Sequence, residues 1–205
     1  MKSDVRPYAP GDRRWAEGLL EEGMGSTRAA RLGELLEPAA LPGLVAERDG
    51  ERIGLLTYIV DGDQFEVLSL HSRVENAGAG SALLQAAATL AAGRGCRRLW
   101  LVTTNDNLHA LGFYQRRGLR LCALHAGALE RDRALKPELP EVNPGNRIPM
   151  RDLLELELPL QVAGRAAVVG NASTVQRPER EAAWAATTPR PTTSSMTSSA
   201  SSTTP

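Results

Sequence analysis

Residues 44–95 constrain the fold of this chain more than any other part of it. The run LVAERDGERIGLLTYIVDGDQFEVLSLHS contains three strand-like stretches separated by turns at Asp49-Gly50 and Asp61-Gly62. Asp-Gly suits short hairpin loops, because glycine takes positive φ without a steric cost. The stretches therefore read as an antiparallel meander. The next segment, VENAGAGSALLQAAATLAAGRG, runs through Gly78 and Gly80 into an alanine-rich helix, predicted over 81–92 and stopped by Gly93 and Gly95. Helix N-termini present unpaired N–H groups and about half a positive charge, so glycines there allow a phosphate to come close. Two phosphate-binding patterns fail. No lysine followed by Ser or Thr stands at nucleotide-loop spacing, and Leu83 occupies the place of the third small residue in the dinucleotide fingerprint. On spacing alone a plain structural turn explains such a glycine pair more readily than a phosphate does.

The flanking segments complete a mixed α/β pattern. VRPYAP reads as a first strand, and Trp15, Leu19, Leu20 and Met24 recur at helical spacing. A second helix is expected over 27–38, ended near Pro38. After Gly95 follow a buried strand in RRLWLVTT, a helix in NDNLHALGFYQRRG with a glycine exit at Gly118, and a strand in LRLCALHAG. A long proline-rich connection over 128–150 leads to DLLELEL, whose Leu154, Leu156 and Leu158 alternate with Glu155 and Glu157 as on a strand with one wet face.

Composition narrows the function classes. The 205 residues carry 24 basic and 24 acidic side chains, so no global field draws the chain to nucleic acid or an anionic membrane. Cys96 and Cys122 lack metal-ligand spacing and form no disulfide framework, which argues for no metal and a reducing cytoplasm. The N-terminal MKSDVRPYAPGDRR lacks the apolar run of a signal peptide. One domain is expected over 1–160. Residues 161–205, rich in Ala, Ser, Thr and Pro, read as a disordered tail. Its Asn171-Ala172-Ser173 tripeptide is taken as a chance glycosylation match.

Within this pattern, ENAGAGSALL and RRLWLVTTNDNLHALGFYQRRGL together resemble the GNAT acetyltransferases. That family's signature places Gln/Arg-x-x-Gly-x-Gly/Ala before the central helix and Asn-x-x-Ala-x-x-Phe/Leu-Tyr in the next one. Gly78 and Gly80 match the first half, although Glu75 stands where Gln or Arg is usual. Asn107, Ala110, Phe113 and Tyr114 match the second half, and Gly118 matches the following turn with Leu119 replacing phenylalanine. The resemblance implies a mostly antiparallel central sheet, splayed between the family's fourth and fifth strands and flanked by helices. It also implies acetyl-CoA as cosubstrate, its pyrophosphate held by Asn76, Ala77, Gly78, Ala79, Gly80 and Ser81.

The chemistry implied is transfer of an acyl group to a primary amine of a small molecule or protein, by direct attack on the thioester. Leu68, Ser69 and Leu70 are the expected backbone contacts to the pantetheine arm. Tyr114 is the expected acid for the departing thiolate, and Asn107 is expected both to cap its helix and to contact the coenzyme. Glu66 is the candidate general base, facing the splayed cleft, with a surface ion pair weighed equally against it. His71, at the strand end beside Arg73, reads as a solvated surface imidazole. The arginines at 73, 94, 97, 98, 116 and 117 read mostly as surface charges. A noncatalytic acyl-CoA-binding module is the alternative, and a nucleotide-binding domain a more distant one. The amine acceptor and the oligomeric state, a homodimer included, stay open.

Overall fold

The turn at Asp49-Gly50 has φ of 53° and 79°, the paired positive values of a type I′ hairpin, so the first Asp-Gly signal closes as expected. This computed structural model describes residues 3–74 and 78–161, all inside the unit Met1–Arg165. In chain order the elements are β1 (Asp4–Pro7), α1 (Arg13–Met24), β2 (Ala29–Arg31), β3 (Glu34–Leu36), β4 (Gly43–Arg48), β5 (Glu51–Asp61) and β6 (Gln64–Ser72). Then come α2 (Ala79–Gly93), β7 (Arg98–Thr104), α3 (Leu108–Gln115), β8 (Arg120–His125), α4 (Ala128–Leu135) and β9 (Leu153–Pro159). Seven strands form one sheet in the order β1-β4-β5-β6-β7-β9-β8. Its described pairs are antiparallel except β6 with β7. The tail expected over 161–205 lies, apart from Gln161, outside the described residues.

Strand periodicity divides the core between two faces of this sheet. Leu44 and Leu56 pack with Leu83, Leu84, Ala87 and Ala91 of α2, whereas their neighbours Val45 and Leu55 pack with Ala16, Leu19 and Leu20 of α1. The alanines of α2 let the helix lie close on the sheet, and Ala87 and Ala91 are fully buried. Emptying one of the large positions, such as Leu56→Ala, costs about 3 kcal/mol through lost burial and the cavity left behind.

Residues 27–38 fold differently from the expected helix. They form a small separate hairpin, with β2 antiparallel to β3 in the register Arg31↔Glu34, followed by a 3₁₀ turn at Pro38–Ala40. Leu32 and Gly33 make its turn with φ of 53° and 83°. A leucine in the left-handed region costs on the order of 1 kcal/mol. That cost is offset by tertiary contacts a helix would forfeit. Leu32 packs on the buried cluster of Leu129, Met150 and Leu153, and Gly33 N–H donates to Asp132 Oδ1 at 2.7 Å. The connection over 128–150 holds α4, which its proline content had hidden, and Arg151 and Asp152 N–H both donate to Asn105 Oδ1 at 3.0 Å.

Candidate active site

The site begins where two strands part. β6 and β7 pair in parallel only through Gln64↔Arg98, Phe65↔Leu99 and Glu66↔Trp100. Beyond Glu66, β6 stays with β5, while β7 stays with β9 along its whole length. These are the strands the resemblance numbers fourth and fifth, because the hairpin β2–β3 adds two. On β5, Thr57 pairs with Ser69 but Tyr58 with Val67, so Leu68 is an extra residue bulging from β6. The bulge lies two residues beyond Glu66, the last residue of β6 paired with β7. It leaves Leu68 with no residue opposite it on β5, while Ser69 is buried with its hydroxyl 2.7 Å from that of Thr57.

α2 enters this region through Gly78, whose φ of 81° requires glycine, and whose missing side chain leaves the helix without a side-chain cap. The first intrahelical bond runs from Ala82 N–H to Gly78 C=O at 3.0 Å. The amides of Ala79, Gly80 and Ser81 therefore have no acceptor among the described residues, a suitable cradle for an anion. A cleft of about 550 Å³ opens on them, lined also by Leu70, His71, Tyr114, Arg116 and Arg117. Asn76 and Ala77 fall outside the described residues, as does Glu75.

α3 supplies the opposite wall. Asn107 caps it, its Oδ1 accepting from Ala110 N–H at 3.1 Å, and Tyr114 faces inward, 9% exposed. Burial pushes the Tyr114 phenol up to about 12, so it remains protonated at neutral pH. Its hydroxyl donates to no group among the described residues. Arg117 lies over the Phe113 ring, 3.5 Å from the centroid, and donates to Ser81 Oγ at 2.5 and 2.9 Å. Arg116 and Arg117 form no ion pair among the described residues. Burial and the adjacent Arg116 charge lower the Arg117 pKa, so this end of the cleft favours a negative ligand.

Two titratable residues of β6 are placed otherwise than expected. Glu66 does not line the cleft; it sits 4% exposed at the apex of the splay, with Oε2 accepting from Arg31 Nη2 at 2.5 Å. Burial raises its pKa and Arg31 lowers it, the former prevailing. His71 is no solvated surface group. It is half-buried in the cleft wall against Gly23 of α1, and desolvation lowers its pKa, keeping the ring neutral. Leu68, Ser69 and Asn107 stand beside the cleft rather than in its lining, whereas Leu70 and the turn from Gly78 to Ser81 form its wall. Sequence reasoning missed Arg31, since an arginine in an assumed helix gives no sign of a partner 35 positions away.

Residues 12–119, just over half of the chain, match the model of the Acetyltransferase (GNAT) family. The chain belongs to that family. It is 47% identical over 113 residues to the uncharacterized protein YxbD of Bacillus subtilis, spanning 55% of this chain and 70% of that relative. Among solved GNAT folds, a Bacillus subtilis acetyltransferase in complex with CoA aligns with a TM-score of 0.56 and 17% identity, over 78% of this chain and all of that one. A GNAT acetyltransferase from Elizabethkingia anophelis with acetyl-CoA bound aligns with a TM-score of 0.54 and 20% identity, over 77% and 98% of the two chains. At those identities the likeness is one of fold. The GNAT sheet here carries no described group of three or more His, Cys, Asp or Glu placed to hold a metal, and Cys96 and Cys122 are free thiols. No helix among the described residues is long and apolar enough to cross a membrane.

Proposed function

We propose that the protein is an acetyl-CoA-dependent N-acetyltransferase that passes an acetyl group to a primary amine by direct attack on the thioester. The observation that carries this reading is the uncapped start of α2, with Gly78 in the left-handed region, opening on one cleft with Tyr114 and the two unpaired arginines. The amides of Ala79, Gly80 and Ser81 hold the pyrophosphate, and Arg116 and Arg117 add charge-assisted contacts. Leu68, Ser69 and Leu70 offer backbone groups to the pantetheine arm, the Leu68 N–H at the bulge being the donor for the thioester oxygen.

The chemistry is shared between two side chains. Glu66, standing behind the cleft lining, takes the proton from the amine nitrogen through a water as that nitrogen bonds the acetyl carbon. Tyr114 gives its phenolic proton to the sulfur as the carbon–sulfur bond breaks, a role suited to an acid that stays protonated until well above neutrality. The unpaired thiols Cys96 and Cys122 fit a cytoplasmic location.

Purified protein mixed with acetyl-CoA and a panel of small amines and N-terminal peptides tests this reading by thiol release. Turnover with at least one amine, lost in Tyr114→Phe, is the expected outcome. Tight binding of acetyl-CoA with no turnover for any amine makes the protein a binding module, and no binding at all by calorimetry overturns the reading entirely.

A further inference from the structure

The β2–β3 hairpin is anchored more firmly than a surface loop requires. Three contacts hold its tip, and the residue before the hairpin, to α4 and to Lys136, which caps that helix. Leu32 packs on Leu129, Gly33 N–H donates to Asp132 Oδ1 at 2.7 Å, and Lys136 Nζ donates to Arg28 C=O at 2.8 Å. What this anchoring delivers is Arg31. Its Nη2 reaches Glu66 Oε2 at 2.5 Å and its Nη1 reaches Glu34 Oε2 at 2.8 Å, the Arg31 side chain being 14% exposed and that of Glu66 6%.

The arrangement leaves one oxygen of Glu66 unused. Glu66 Oε1 is buried without a hydrogen-bond partner, as are Arg31 Nε and Trp100 Nε1. Trp100 is the β7 residue opposite Glu66 at the last paired position of the splay. A buried carboxylate with one oxygen held and the other empty is costly unless a donor arrives. In a site that must take a proton from an amine, that empty oxygen is the place for it.

We propose that Arg31, delivered by the β2–β3 hairpin, is the positioning residue for Glu66. Arg31 fixes the carboxylate plane through Oε2 and leaves the Oε1 lone pair for the proton relayed from the acceptor nitrogen. The proton passes from nitrogen through a bridging water to Glu66 Oε1, and the nitrogen lone pair so released forms the bond to the acetyl carbon. Arg31 keeps its own proton and stays charged throughout. Its charge also opposes the burial that favours a protonated Glu66, together with the repulsion from Glu34 on β3 and Glu155 on β9. Ile59 on β5 and Trp100 on β7, the strand neighbours of Glu66, bring no charge. Glu155 is itself engaged by Arg98 and His125, each at 2.9 Å. Arg31 is thus the cation in direct contact with Glu66. The catalytic role of this inference rests on the acetyltransferase reading above; the pairing itself does not.

Titration of the Glu66 carboxyl by ¹³C NMR, in the wild type and in Arg31→Met and Arg31→Lys, tests the pairing whether or not an acceptor is known. Loss of the guanidinium should raise the Glu66 midpoint by about one pH unit or more in Arg31→Met, with Arg31→Lys in between. An unchanged midpoint in the folded variants overturns the proposal, and should Arg31→Met fail to fold, the Lys variant alone decides it. With an active acceptor, the acid limb of kcat/KM should move to higher pH by the same amount, while acetyl-CoA affinity stays within about twofold. A fall in kcat with the limb unmoved marks a merely structural arginine and also overturns it. Absence of turnover in the wild type counts against the acetyltransferase reading, and the NMR midpoint still decides the pairing.

Discussion

Gly80 of α2 and Phe113 of α3 approach so closely that a methyl group on Gly80 would lie 3.1 Å from Phe113 Cζ. The second glycine of the turn is therefore a packing requirement between two helices, and Gly78 alone is required by its backbone. Gly80→Ala should push Phe113 aside and with it Arg117, which stacks on that ring. An affinity loss of about tenfold for CoA by calorimetry is expected, with a stability loss of about 1 kcal/mol in urea denaturation. Gly78→Ala meets nothing within 4 Å, and its loss of about 1 kcal/mol arises from the positive φ.

Tyr114→Phe removes one oxygen from a buried position without changing the ring. If the phenol is the acid for the leaving sulfur, kcat should fall by about 100-fold with CoA affinity nearly unchanged, measured by thiol release and calorimetry. Because burial holds the phenol up to about 12, the wild-type rate should show no basic limb from this group below about pH 10.

Arg117→Ala removes both the guanidinium facing the cleft and the clamp on Ser81 Oγ. CoA affinity should weaken by about tenfold and depend less steeply on salt, while pantetheine, which lacks the phosphates, should bind as before. Arg120→Ala, in an exposed pair with Glu157 on the far edge of the sheet, should leave CoA binding unchanged.

Asp12 joins β1 to the start of α1, accepting from Arg6 at 2.7 and 2.9 Å and from Ala9 N–H at 2.9 Å. Its bonds to Arg6 hold the carboxyl well below the usual carboxylate range. A depressed folded pKa means stability that is fully present above the unfolded value near 4 and lost as pH falls toward the folded one. With Arg6 partly exposed and screened, Asp12→Asn should cost about 1–2 kcal/mol at pH 7. The difference from the wild type should narrow in urea titrations below about pH 3.

Some of this was legible locally. Asp49-Gly50 and Asn107 ahead of a short helix act through neighbours in the chain, and the alternation of Leu154, Leu156 and Leu158 with glutamates located β9; its glutamate face is not the wet one expected, since Glu155 is buried and paired with Arg98 and His125. The glycine turn and Tyr114 were legible as a pair because the family signature records their spacing. The hairpin at 29–36 was not, since its energy comes from Leu129, Met150 and Asp132, a hundred residues on.

The sequence by itself determined the meander and the helix that follows its glycine turn, because turn chemistry and hydrophobic period are short-range properties, and it indicated the family through its resemblance in two spaced motifs. Only the tertiary structure decided that Glu66 is held by Arg31, that His71 is a desolvated wall of the cleft, and that Gly80 answers to Phe113. Burial and charge pairing depend on which distant segments the sheet brings together, and a linear pattern carries no record of those distances.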